Sequence, residues 1–194
     1  MMHIAIAEKL TGKISSDFRL GCIIPDAAGQ QSHYRARSAE GLKYFDLVRF
    51  RSEFTERLRG DDFCLGFYMH LLQDMLYRTF LYREKNWETQ TPGNVEKLHN
   101  DYRLLNPYLS QKYGIANDLF LPEHLCGHPL LPDRAEAFLT EFRTQFEPVE
   151  HGELFFLTEA MADEFIERAV LLCEKELNAL RGCGECINPL DYAY

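Results

Sequence analysis

The sequence predicts an all-α, single-domain fold around a buried central helix, and three observations lead there. Apolar residues recur at helical spacing nearly throughout the chain. The segment from Phe63 to about Tyr82 is apolar around most of its circumference, as suits a helix enclosed by others. The 194 residues, 46% of them apolar, suffice for one domain with a substantial core and little more. Residues 1–194 therefore read as one domain without repeats, low-complexity tracts or linkers.

Element by element, Ile4, Ala7 and Leu10 mark a short first helix that stops at Gly12. Ser15-Ser16-Asp17 is an N-cap cluster before FRLGCII, a helix that Pro25 is expected to terminate. Residues 29–42, rich in Gly, Gln, Ser and Arg, read as a loop. A helix is expected from Asp46 to Arg59, ended by Gly60. Asp61 and Asp62 then open the central helix, where two acids suit the positive end of the helix dipole. After the TQTPGN turn another helix runs from about Val95 to Tyr113, with Pro107 predicting a kink or break. LPEHLCGHPLLPDR reads as an irregular connection, closed by Pro132 before a helix to Phe146. Residues 147–156 read as a loop or a short strand pair. Thr158 starts the last helix, with Ala160, Phe165, Ala169, Leu172 and Leu177 inward, and Gly182 ends it.

Composition narrows the function. The net charge of −9 repels polyanions and argues against nucleic-acid partners. No apolar run reaches the ~18 residues of a membrane span, so integral membrane association is not expected. MMHIAIAEKLTGK has no basic leader, and Glu8 interrupts its apolar run, so no signal peptide is expected. Six scattered cysteines do not resemble a disulfide framework, which points to reduced thiols and a cytoplasmic address.

Four features carry candidate chemistry. His70 and Asp74, in LGFYMHLLQDMLY, lie one helical turn apart and can reach a common ion. Asp26 follows Pro25 where the chain leaves the core, His33 lies seven residues later, and His3 sits on the first helix. Each alone has an ordinary reading: a satisfied core histidine, a Pro-Asp turn, a surface loop histidine, an exposed terminal one. Together, two carboxylates and three histidines are what a one- or two-ion hydrolytic site requires. Arg35, Arg37 and Arg78 flank these residues and suit phosphate contacts. Cys183-Gly-Glu-Cys186 is read as structural or incidental, with a separate zinc site alongside His124, Cys126 and His128 as the alternative.

The order of His3, LGCIIPD, Ser32-His33 and LGFYMHLLQD resembles the zinc-dependent phospholipase C family, itself similar to the fungal zinc nucleases. The resemblance is strongest over residues 3–80 and continues more weakly through HNDYRLLNPYLSQKYG and TEAMADEFIERAVLLCEKEL, as in small intracellular bacterial members. It implies an all-helical zinc-dependent phosphoric ester hydrolase. Asp26, His33, His70 and Asp74 match the positions that bind one zinc, and His3 matches a ligand of a second ion bridged by Asp74. Asp26 also matches the carboxylate that acts as base on the attacking water. The exported phospholipases use an N-terminal Trp as a ligand, whereas Met1 stands here and Trp87 is the only Trp. Their later His-x3-Glu pair is also absent, since Arg103 follows His99 by four positions. One or two ions are therefore expected rather than three, with His99 or Asp101 as additional ligands. The expected activity is hydrolysis of a small phosphoester. A non-catalytic, metal-stabilised interaction protein and a nuclease of the same superfamily are the alternatives.

Overall fold

A computed structural model describes residues 1–12, 14–150 and 152–194. Among these, seven α-helices and one two-stranded hairpin account for the regular structure, together with short 3-10 turns. The first helix, α1 (Met2–Lys9), buries Ile4, Ala5, Ile6 and Ala7 completely. Four consecutive buried residues cannot lie on one helical face, so α1 is enclosed, packing against α5 (Asn94–Tyr113) and α7 (Glu159–Leu180).

Helix α2 (Ser16–Gly21) starts where Ser15 Oγ accepts a hydrogen bond from the Phe18 amide at 3.1 Å. It crosses α4 (Asp62–Thr79) almost backbone to backbone. A Cβ on Gly21 would lie 2.2 Å from the Phe63 carbonyl oxygen, and one on Gly66 would lie 2.1 Å from that of Phe18. Only glycine fits at either place. This crossing delivers the Cys22 carbonyl, just beyond α2, to the side of α4 that bears His70.

Pro25 does not end α2, which stops at Gly21. Instead Pro25 lies in the first turn of a 3-10 segment, Ile24–His33, where its missing N–H costs nothing. That segment breaks at Gly29, whose φ of 70° suits a residue without a side chain. The expected loop over 29–42 is therefore structured as far as Arg37, and residues 38–42 form the turn of a hairpin. Tyr34 turns in a left-handed conformation into β1 (Arg35–Arg37), which pairs antiparallel with β2 (Lys43–Phe45), Ala36 facing Tyr44. At the outer edge of β2, the Tyr194 amide donates to the Lys43 carbonyl at 2.9 Å and the Lys43 amide donates to the Tyr194 carbonyl at 2.8 Å. The hairpin escaped the sequence reading because each strand is only three residues long, too short to show alternation.

The expected helix over 46–59 is split into α3 (Leu47–Glu53), capped by Asp46, and a 3-10 turn at Arg57–Arg59. Asp61 caps α4 by accepting from the Cys64 amide at 2.9 Å, and the helix runs on into a π-helical turn at Phe80–Glu84. As expected, α4 is the central helix, packed by α2, α3, α7 and the hairpin. Helix α5 passes through Pro107 unbroken. Pro107 and Arg103 are both exposed, so the carbonyl that loses a helical donor can be hydrated. Helix α6 (Ala135–Arg143) ends in a 3-10 turn at Thr144–Phe146. No strand forms within 147–156 among the described residues, and His151 of that segment lies outside them. Thr158 caps α7 as expected, but Ala160 in its first turn is exposed. The inward face consists of Ala162, Phe165, Ile166, Ala169, Val170, Cys173 and Leu177, with Leu172 half-buried. No helix of the described residues is long and apolar enough to cross a membrane.

Candidate metal centre

The five residues singled out as ligands come from three elements and meet at one place. His3 projects from α1, Asp26 and His33 from the 3-10 segment, and His70 and Asp74 from adjacent turns of α4. His33 Nε2 lies 3.3 Å from His70 Nε2, 3.5 Å from Asp26 Oδ1 and 3.6 Å from Asp74 Oδ2. His70 Nε2 lies 3.6 Å from Asp26 Oδ1, and His3 Nε2 lies 3.6 Å from Asp74 Oδ1. Asp74 thus turns one oxygen toward His33 and the other toward His3, the disposition of a bridging carboxylate. Asp26, with its side chain 48% exposed, forms the open edge of the cluster.

Each imidazole is fixed through its other nitrogen. His70 Nδ1 lies 2.8 Å from the Cys22 carbonyl oxygen, His33 Nδ1 lies 2.8 Å from that of Gly29, and His3 Nδ1 lies 2.8 Å from Gln73 Oε1. A carbonyl or amide oxygen can only accept, so each Nδ1 donates and each neutral ring carries its lone pair on Nε2. Three Nε2 lone pairs therefore converge with two carboxylates. Ligands at ~2.0–2.1 Å in a tetrahedron stand ~3.3–3.4 Å apart, close to the 3.3–3.6 Å that separate His33 from His70, Asp26 and Asp74, and His70 from Asp26. The donor set fits a zinc-type ion, with Asp26, His33 and His70 in one group and His3, His70 and Asp74 in another. His70 offers a single lone pair, so it serves only one of the two positions.

The local electrostatics follow from this crowding. Burial and the neighbouring His70 push the His3 pKa down to about 4, against the pull of Asp74 and Asp26. Burial also opposes charge on His33, but the Asp26 carboxylate, 3.5 Å from its Nε2, and the nearby Asp74 carboxylate outweigh that and raise its pKa. Desolvation would raise Asp26, yet His70, His33 and His3 together hold it well below the ordinary carboxylate range.

A cavity of about 910 Å³ opens onto the cluster, bordered by His3, Asp26, His33 and Asp74 at one end. No family model, curated protein or solved structure matches this chain.

Of the three arginines, Arg78 and Arg35 line the cavity. Arg37 does not join them, because its guanidinium donates to the Gly41 carbonyl within the hairpin at 2.9 Å. His99 reaches the cavity wall but stands apart from the ligand groups. Asp101 is not brought to the cluster. Its Oδ1 accepts from the Phe155 amide and its Oδ2 from those of Phe156 and Leu157, all at 2.8–2.9 Å, so both oxygens are spent anchoring the approach to α7. The alternative zinc site at the tail does not assemble either. His124 pairs with Asp17 and His128 with Asp61, and no group with Cys126, Cys183 or Cys186 forms among the described residues. Gln73 is the functional residue that sequence reasoning missed. It is fully buried, accepts from His3 and reaches Cys173 Sγ at 3.7 Å. The available signal was an amide side chain directly before Asp74 in an otherwise apolar stretch.

Proposed function

We propose that this chain is a metal-dependent hydrolase acting on a phosphate ester, with zinc as its ion. The observation that carries this reading is the convergence of three oriented Nε2 lone pairs and two carboxylates at the end of a cavity that also holds an arginine. The resemblance to zinc-dependent phospholipase C points the same way. Asp26, His33, His70 and Asp74 would hold the primary ion, and His3 with Asp74 a second. Such an ion, when bound, polarises a phosphoryl oxygen and lowers the pKa of water toward neutrality.

The chain's own residues do the rest. Asp26 stays ionised beside three histidines, and its partial exposure lets its outer oxygen accept a hydrogen from water and orient it. The carbonyls of Cys22 and Gly29 and the amide of Gln73 keep the imidazoles in the required tautomer. Arg78 supplies positive charge on the substrate side. A small cytoplasmic phosphoester is the proposed class of substrate.

The decisive experiment is elemental analysis of freshly purified protein, followed by assay against a phosphoester panel with and without a chelator. Stoichiometric zinc and chelator-sensitive turnover are expected. Asp26→Asn should abolish turnover with folding intact. Folded protein that neither carries nor takes up a divalent metal would overturn the proposal. Metal-bound protein inert to every ester would instead identify a non-catalytic, metal-stabilised chain.

A further inference from the structure

We propose that Arg78 makes this site selective for phosphomonoesters over phosphodiesters, by holding the oxygen that only a monoester has to spare. The inference rests on the phosphoesterase reading above. His70, Asp74 and Arg78 are spaced i, i+4 and i+8 on α4, so they form one stripe along the helix, with ~5–6 Å between successive positions. The last member of the ligand row is thus followed, one turn on, by a cation lining the same cavity.

The state of that cation is unusual. Its Nη1 donates to the Tyr82 hydroxyl at 2.6 Å, and the guanidinium lies 5.7 Å from the centre of the Tyr82 ring. No carboxylate pairs with it among the described residues, and its Nε is buried without an acceptor. The nearest opposite charge to act on it is Asp74, which is aimed at His3 and His33. A guanidinium whose Nε is buried without an acceptor and which has no carboxylate partner among the described residues is suited to an anion that enters the cavity. Other buried charges in this protein are completed: Glu176 accepts from Arg51, Tyr68 and the Ile187 amide, and Asp101 from three amides. Arg78 stands out by contrast, and it does so in the cavity.

Oxygen count then discriminates between ester classes. A phosphodiester has two non-ester oxygens, and with both ion positions filled the ligand cluster would engage both. A monoester has three, and near neutral pH it carries close to two negative charges, because its second pKa is ~6. The third oxygen needs a charge-assisted donor, which a guanidinium on this stripe provides. Tyr77, Trp87 and Tyr102 also line this cavity of about 910 Å³, which leaves room for a bulky alcohol portion. Arg35, exposed at the rim with its guanidinium 5.9 Å from the Phe45 ring, adds attraction for anions but not this discrimination.

The test compares zinc-loaded wild type with Arg78→Gln and Arg78→Lys on p-nitrophenyl phosphate and bis(p-nitrophenyl) phosphate. Calorimetric titration with inorganic phosphate runs in parallel. Wild type should favour the monoester. Arg78→Gln should lower kcat/KM on the monoester about 10- to 100-fold, change the diester less than about threefold, and weaken phosphate binding by a similar 10- to 100-fold. Arg78→Lys, which keeps the charge but not the fork, should fall between. Zinc content and thermal unfolding of each variant confirm that the fold and centre are retained. A wild-type preference for the diester, or equal losses on both esters, would overturn the proposal and leave the hydrolase reading standing. If neither ester is cleaved, the phosphate titration decides. Phosphate affinity that is absent, or unaffected by Arg78→Gln, then overturns the role of Arg78.

Discussion

The Nε2 atoms of His33 and His70 face each other at 3.3 Å while both rings donate their Nδ1 hydrogens to backbone carbonyls. When both rings are neutral they present lone pair to lone pair, which is repulsive unless a proton or a metal ion lies between them. The backbone, through Cys22 and Gly29, imposes the arrangement, which suits the metal ion proposed for this site. His70→Ala should therefore weaken zinc affinity by on the order of 100-fold or more. Because ligand binding to the native state raises stability by mass action, zinc should raise the thermal midpoint of wild type and leave that of the variant nearly unchanged. Differential scanning fluorimetry with and without zinc reads this directly. An equal zinc-induced shift in both proteins would show that the ion binds elsewhere.

Gln73 provides a way to separate the two ion positions. Its Oε1 holds His3 and touches neither His33 nor His70. Gln73→Leu, of similar size, should leave His3 free to rotate and weaken the second ion 10- to 100-fold, the usual effect of losing a partner behind a ligand. The first ion should be retained. Two-phase zinc titration followed by a chromophoric chelator distinguishes these, and loss of both phases together would mean that the positions are not independent.

The ligand row was legible because it is local. His70 and Asp74 sit one turn apart, and Asp26 and His33 precede them within one short stretch of chain. What supports the row was not legible, because it is made of long-range and backbone contacts. The Cys22 carbonyl meets His70 across 48 positions, and it can do so only because Gly21 and Gly66 admit a close crossing of α2 and α4. A carbonyl leaves no mark in residue identity, and a glycine inside a helix reads first as a weak helix former. Ala160 shows the opposite error: its spacing matched the inward face of α7, but the first turn projects past the core. Likewise an acid on a helix beside His99 looked like a ligand, when the chain needed a carboxylate to gather three amides.

That role of Asp101 is itself testable. Both oxygens are engaged by the amides of Phe155, Phe156 and Leu157, and the side chain is fully buried. Asp101→Ala strands these donors and should cost about 3 kcal/mol of stability. Zinc stoichiometry should not change. Urea unfolding measures the first quantity and elemental analysis the second. A stable variant with less metal would return Asp101 to the list of ligands.

The pH dependence of metal uptake follows from His33. Its raised pKa, owed to Asp26 and Asp74 acting against burial, means that the metal-free protein holds this proton to higher pH than the ordinary imidazole value of ~6.5. A ligating imidazole must be neutral, so an incoming ion has to displace the proton. Below the folded pKa, the His33 proton therefore lowers apparent affinity about tenfold for each unit of pH lost, and above it that contribution vanishes. His3, with its pKa lowered to about 4, is already neutral across this range and adds no such slope. Affinity for zinc should thus rise from pH 6 toward neutrality and level off above the ordinary imidazole midpoint. Calorimetry in buffers of different ionisation enthalpy should detect the His33 proton released on binding at pH 6. Asp26→Asn removes the partner that favours the charged ring, so the inflection should move to lower pH even as overall affinity falls. An inflection that stays in place in Asp26→Asn would show that Asp26 does not control His33.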